Sequence, residues 1–295
     1  MARIPIVDDS DADHDTLVEI NAEHLEHARS AASDALGVRT EFISHVSHEL
    51  RTPLASLTQL LAIVLDGLAG PISAEQREFL EICLRNARQL SSMIADLIDV
   101  TRVQSGKLRV TPRPFDLSAV LEEVARSQRP AAQAKGVSIE VHSDALPNVL
   151  ADEVRVRQVL ANLVDNAIKY TPEGGEIEIA AARDARDPAT VQIAVRDSGP
   201  GVAPEARERI FDCMQQEQDA DWRSRNGLGI GLYLCRELVT RQGGRIWVES
   251  ERGKGSSFCF TLPVFDFAKL VEPAFGPRAD GANRDEEDPG RRRRQ

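Results

Sequence analysis

The sequence has no apolar run longer than the six residues from Leu60 to Leu65, whereas a helix that crosses a bilayer needs about 20. No transmembrane segment is expected. Its four cysteines, Cys83, Cys213, Cys235 and Cys259, contain no C-x-x-C pair, which argues against a zinc knuckle or a dithiol redox motif and for reduced thiols. Positive charge is also in deficit. With 36 Lys and Arg against 47 Asp and Glu, the net charge is −11, a balance that repels a phosphate backbone and argues against direct nucleic-acid binding. The N-terminus, MARIPIVDDSDAD, lacks the apolar core of a secretory signal, so a cytoplasmic location is expected. What remains is ordinary globular composition, 42% apolar and 28% charged over 295 residues, enough for roughly two domains.

The two ends depart from that composition. Residues 1–16 are rich in aspartate, and residues 266–295 end in DEEDPGRRRRQ; both read as solvated, disordered tails. From Leu17 to Asp66 the chain avoids strand formers, and Gly37 is its one glycine before Pro53. The spacing of Leu25, Ala28, Ala32, Ala35, Phe42 and Val46 predicts a lead-in helix over 17–40. The stripe continues through Ile43, Val46, Leu50, Leu54, Leu57, Leu61, Val64 and Leu68 until Gly67–Pro71 ends it. Ser73 and Gln76 form a capping-box pattern opening a second helix, with Leu80, Cys83, Ala87, Leu90, Ile94 and Leu97 as its apolar positions. One hairpin cannot bury both stripes, so residues 41–106 predict half of a four-helix bundle completed by a second copy, a homodimer.

Beyond Gly106, Pro112 and Pro114 the pattern changes to mixed α/β over 107–265. Runs at 137–141, 176–180, 191–195, 245–249 and 257–262 alternate with period two and predict strands. Helical patterns lie at about 117–135, 152–170 and 229–242. The fold class expected is a helical hairpin followed by an α/β sandwich.

Four short segments carry the chemistry. In SHVSHELRTP, His45, His48 and Thr52 share the polar face of the first helix with Glu49 beside them, opposite the apolar stripe. A solvated helix face is the plain alternative, and a metal held by the two histidines a weaker one, because no H-E-x-x-H is completed. Pro53 removes a backbone bond to the Glu49 carbonyl, predicting a bend beside the exposed histidine. In ANLVDNAIKY, Asn162, Asn166 and Lys169 or Tyr170 occupy one helix face and Leu160, Leu163, Val164, Ala167 and Ile168 the other. Amide oxygens suit Mg²⁺ bound together with nucleotide phosphates, which Lys169 can neutralise. In VRDSGPGV, Asp197 stands at a strand end, and Gly199 and Gly201 permit close approach to a flat ligand. In NGLGIGLYL, Gly227, Gly229 and Gly231 open a helix whose free N–H groups favour phosphate. The chain has no P-loop, H-R-D loop or D-F-G.

In this order, the segments resemble the sensor histidine kinases of two-component signalling over residues 40–265. FISHVSHELRTPL is similar to the family's H box, ANLVDNAIKY to its N box, DSGPGV and GLGIGL to its two glycine boxes, and RIFDCM to its F box. The resemblance implies a dimerisation and phosphoacceptor hairpin joined to an ATP-binding domain of the gyrase and heat-shock-chaperone type. It implies His48 as phosphoacceptor, Glu49 as general base, and Thr52 as the residue that orients water for dephosphorylation of a regulator. It further implies Asn162 and Asn166 as Mg²⁺ contacts and Lys169 and Tyr170 as nucleotide contacts. Asp197 would be the acceptor of the adenine amino group, with Gly199, Gly201, Gly227, Gly229, Ile230, Gly231 and Leu232 around ATP. The implied partners are a response-regulator receiver domain and an upstream sensor protein. Met214 stands where the family's F box continues with an aromatic, and Trp222, Arg223 and Arg225 between the boxes match no family arrangement. Those departures leave open a dimeric ATP-binding scaffold with little chemistry. A chaperone-like ATPase or serine kinase of the same superfamily is disfavoured by Asn162, an amide where the related ATPases carry a glutamate.

Overall fold

The computed structural model describes residues 46–47, 49–143, 145–213 and 229–266. The expected lead-in helix and both tails fall outside them, as do His45, His48, Met214 and the segment with Trp222, Arg223 and Arg225.

The first described helix, α1, covers 49–65 and is continuous through Pro53. Its end is closed by Leu68 N–H donating to Ile63 O at 3.1 Å and by Arg77 Nη1 donating to Leu65 O at 3.1 Å from the next helix. Gly67 takes a positive φ of 77° in this turn, which an L side chain resists. The second helix, α2 (Ala74–Gln104), begins with the expected capping box: Ser73 Oγ accepts from Gln76 N, and Gln76 Oε1 accepts from Ser73 N.

Leu54 of α1 and Ile94 and Ile98 of α2 form a small buried cluster between the two helices. Much of the stripe is uncovered: Leu50, Leu57, Leu68 and Leu90 are exposed, as are Phe79 and Ile82 outside it. One detail corrects the sequence reading, since the position of α2 that turns inward is Leu84, while Cys83 is exposed. Leu84 keeps the four-residue step from Leu80, so at that turn the inward position lies one residue beyond the expected Cys83, while Ile94 is buried as expected.

The rest is a five-stranded mixed sheet with three helices packed on one face. In chain order it comprises β1 (Arg113–Phe115), α3 (Leu117–Ala134), β2 (Ser138–Ser143), β3 (Val149–Ala151), α4 (Glu153–Tyr170), β4 (Glu176–Arg183), β5 (Thr190–Asp197), α5 (Gly231–Thr240), β6 (Ile246–Ser250) and β7 (Ser256–Pro263). The sheet order is β2-β4-β5-β7-β6, with β2 and β4 parallel and the other neighbours antiparallel. A parallel pair needs a crossover, which α4 supplies. Ile177, Ile179, Ile193, Val195, Phe260 and Leu262 point from the sheet into one core with the buried faces of α3, α4 and α5. The five predicted strands and three predicted helices all occur, each within two residues of its expected ends except β4, which runs three residues further, to Arg183. The separate two-stranded sheet of β1 and β3 has only three residues per strand, too few for a period to be read.

The last third of α2 packs against the sandwich. Asp99, buried there, accepts from Arg155 Nη1 at 2.7 Å and from Gln158 Nε2 at 2.9 Å, both on α4. Asp96, one turn earlier, is half-buried and faces the carboxylates of Asp99 and Asp165. Burial first, and then those two charges, push its carboxyl up to about 6.

Two outcomes follow. Asp99→Ala leaves the half-buried Arg155 guanidinium without its counter-charge, with only Gln158 Oε1 to accept from it, and should cost about 2 kcal/mol; urea unfolding should show it, with faster proteolysis at Ser105–Lys107. For Asp96, the packed state raises the carboxyl above its ordinary 3.8, so protonation favours packing and the ionised form opposes it. The penalty is complete above about pH 6 and is relieved as pH falls toward 4. Asp96→Asn should therefore raise the melting temperature at pH 7.5 and change it little at pH 4.5; an equal effect at both would remove this account.

Candidate functional site

Helix α4 positions the central groups. Asp152 caps it by accepting from Arg155 N, and Val156, Val159, Leu160, Leu163, Val164, Ala167 and Ile168 are buried on the core side. That burial leaves Asn162, Asn166, Lys169 and Tyr170 half-buried on the other face, as the sequence predicts. The Lys169 ammonium lies 5.1 Å from the Tyr170 ring centroid.

The start of α5 rests on this face. A Cβ at Gly231 would stand 2.6 Å from Asn162 Oδ1 and 2.7 Å from Nδ2, so a larger residue there would push that amide aside. One turn further on, Cys235 Sγ approaches Val159 O at 3.9 Å, so the two helices run antiparallel in contact. Burial pushes the Cys235 thiol up, out of the reactive range. The N-cap Ile230 makes no side-chain capping bond, and Gly229 before it has φ 68°. N–H groups with no side-chain cap among the described residues and the positive end of the helix dipole suit an anion there. Ile230 is buried and Leu232 half-buried beside them, whereas Gly227 lies outside the described residues.

At the end of β5, Asp197 is paired with Ser256 of β7. Its carboxylate accepts from Gly199 N at 2.9 Å and from the Ser256 backbone N–H. Burial raises this carboxyl, while the two N–H donors pull it back down. Gly199 is required by space, since a Cβ there would be 2.7 Å from Asp197 Oδ1 and 3.3 Å from the Tyr170 carbonyl. Gly201, at φ 75°, would drive a Cβ into the Glu251 carbonyl. Phe211 in the RIFDCM segment is buried edge-to-face against Phe258 at 6.4 Å, and the next residue, Asp212, accepts from Arg236 of α5 at 3.1 Å.

Two participants escaped the sequence reading. Ser256 contributes through its backbone, and only its place after Gly255 at a strand start hints at it. Thr171, directly after α4, is fully buried, and its hydroxyl has no hydrogen-bond partner among the described residues. A buried orphan hydroxyl, an acceptor carboxylate and glycines that keep the floor open fit a planar base with donors and acceptors. The amide oxygens of Asn162 and Asn166 beside the α5 N-terminus fit Mg²⁺ bound jointly with phosphate oxygens. Glu49 and Thr52 are exposed on α1, a separate element from the α4–α5 pair, so they are not brought into this cleft.

Comparison with known proteins agrees with this geometry. Residues 151–266 match the family described as "Histidine kinase-, DNA gyrase B-, and HSP90-like ATPase", and residues 38–106 match "His Kinase A (phospho-acceptor) domain". The adaptive-response sensory kinase SasA of Synechococcus sp. (strain JA-3-3Ab) is 35% identical over 244 residues, covering 82% of this chain and 63% of that protein. The signal transduction histidine-protein kinase BarA of Escherichia coli (strain K12) is 34% identical over 249 residues, covering 83% of this chain and 27% of that protein. The chain thus spans less than two thirds of either relative. Among solved structures, full-length ShkA in complex with AMPPNP superposes with a TM-score of 0.61 at 32% identity, over 76% of this chain and 46% of that one. Matches to both halves, in the order in which hairpin and sandwich follow one another, place this chain in the sensor histidine kinase family.

Proposed function

We propose that the chain is an ATP-dependent protein-histidine kinase that phosphorylates its own His48 and passes the phosphoryl group to an aspartate of a response-regulator receiver domain. The observation that carries this reading is the packing of Gly231, at the uncapped start of α5, on the Asn162 amide. It brings N–H donors for a phosphate chain and an amide oxygen for the accompanying Mg²⁺ to one place. Asp197 would take the adenine amino group, and Lys169 and Tyr170 would contact the nucleotide. Mg²⁺ held by Asn162 and Asn166 would offset phosphate charge. Asn162 is an amide and cannot serve as a base toward water, which favours transfer to a side chain over hydrolysis.

In the transfer, a neutral His48 nitrogen forms a bond to the γ-phosphorus in line as the bond from that phosphorus to the bridging oxygen breaks. ADP leaves with the electron pair, and Glu49 takes up the positive charge developing on the ring through the proton of the other nitrogen. Thr52, one turn on, would orient water in the reverse task of dephosphorylating the regulator. The uncovered stripe of Leu50, Leu57 and Leu90 supports assembly as a homodimer, because a contiguous apolar face of this kind marks an interface. An upstream sensor protein would act on the N-terminal side of the hairpin.

Incubation with γ-labelled ATP and Mg²⁺ should give a label that survives alkali and is lost in acid, as a phosphoramidate is, and His48→Gln should remove it. Asn166→Ala should lower labelling by about a hundredfold, and Asp197→Asn should weaken ATP binding by at least about tenfold. ATP-raised melting with no label on wild type would instead favour the scaffold.

A further inference from the structure

The base end of the cleft rests on a residue that none of the four motifs contains. Helix α4 ends at Tyr170 without a glycine to satisfy its last carbonyls, since the residue after it, Thr171, is extended at φ −66°, ψ 129°. Lys135, the C-cap of α3, supplies the missing donors. Its ammonium donates to Ile168 O at 2.7 Å and to Lys169 O at 2.8 Å. One residue thereby terminates two helices, α3 with its backbone and α4 with its side chain. A cation at the negative end of a helix is favourable, and more so when part-buried as here.

The neighbouring backbone is tied to the same loop. Gly174 N donates to Gly136 O at 2.9 Å, and Ser138 N donates to Gly175 O at 3.2 Å. Gly136, at φ 71°, leaves room for Glu173, whose Cγ would lie 3.0 Å from an added Cβ. From α4 the contact continues into the cleft. The Tyr170 carbonyl, next after the two that Lys135 holds, is the surface on which Gly199 packs, and Gly199 N donates to Asp197 Oδ1.

We infer that Lys135 is a positioning residue for the nucleotide: by fixing the end of α4 it sets the Tyr170 carbonyl on which the Asp197–Gly201 turn rests, and so the height of the adenine acceptor. The inference rests on the reading of Asp197 as that acceptor. It assigns Lys135 no contact with ATP, since two of its donors go to main-chain carbonyls of α4. Its loss should act on binding of the base and not on the phosphoryl step.

The test uses the full chain, with Lys135→Met, Lys135→Gln and Lys135→Arg measured by calorimetric titration with ADP and with adenosine, and by labelling rate against ATP concentration. Lys135→Met should weaken ADP and adenosine by the same factor, about tenfold, and raise the half-saturating ATP concentration alike, while the rate at saturating ATP stays within about twofold. Lys135→Arg, which can donate to both carbonyls, should recover most of the affinity, and Lys135→Gln should fall between. A residue that only stabilises the fold would lower the melting temperature and leave the affinities of the folded protein unchanged; that result overturns the inference, as does a loss confined to the saturated rate. If Lys135→Met does not fold, the Lys135→Gln and Lys135→Arg pair decides on the same readouts. Wild-type protein that fails to bind ADP or adenosine would defeat the nucleotide reading itself, a separate outcome.

Discussion

The burial of one face of α4 is the constraint on which the rest depends. Leu160, Leu163 and Val164 are wholly inaccessible, with Val159 and Ala167 nearly so, and each large aliphatic side chain contributes roughly 1.5–3 kcal/mol on burial. Asparagine in a helix interior costs at most about 0.7 kcal/mol relative to alanine. The apolar face therefore decides the rotation of the helix, and Asn162 and Asn166 are held outward at small expense. Because the same burial presses α4 onto β4 and β5, the end of the helix and the end of β5 arrive together. The site is a by-product of a helix that has no freedom to roll.

The second condition is absence of side chain. At Gly199, Gly201 and Gly231 an added Cβ would meet, respectively, the Asp197 carboxylate, the Glu251 carbonyl and the Asn162 amide. At Gly201 a separate segment approaches to backbone distance, and at Gly199 and Gly231 a polar side chain fills the space a Cβ would take, so their spacing in the sequence records tertiary contacts that have no periodicity. Glycine at Gly231 also keeps the first turn of α5 open, which preserves its N–H groups for a ligand.

This explains what could be read from the chain in advance. Strands with period two, helices with a 3.6-residue stripe, the Ser73 cap and the face carrying Asn162 and Asn166 are all local patterns, and all were legible. The β1–β3 pair was not, because three residues carry no period. Lys135 was not, because a lysine at a helix end usually caps its own helix, and only the packing of α3 on α4 brings its ammonium to carbonyls 33 and 34 residues away. Leu84 was displaced from the predicted stripe on α2 for a similar reason, since which of two adjacent positions turns inward depends on where the facing helix lies.

Helix α2 changes role along its length, and this couples the two halves of the molecule. Its first two thirds expose Phe79, Ile82 and Leu90, whereas its last third buries Ile98, Val100 and Val103. Where the role changes, the contact to α4 includes an ion pair, Asp99 with Arg155, preceded one turn earlier by a carboxyl, Asp96, that resists ionising there. An aliphatic contact of the same size would hold as firmly, since paired buried charges seldom add net stability over apolar packing. What the polar contact adds is register: Asp99 must meet both Arg155 and Gln158, so a rotation of α2 by one residue breaks it. It also adds a means of release, because the ionised Asp96 opposes a contact that Asp99 makes. A charged contact set against a neighbouring carboxylate is therefore specific enough to re-form in one register and weak enough to break.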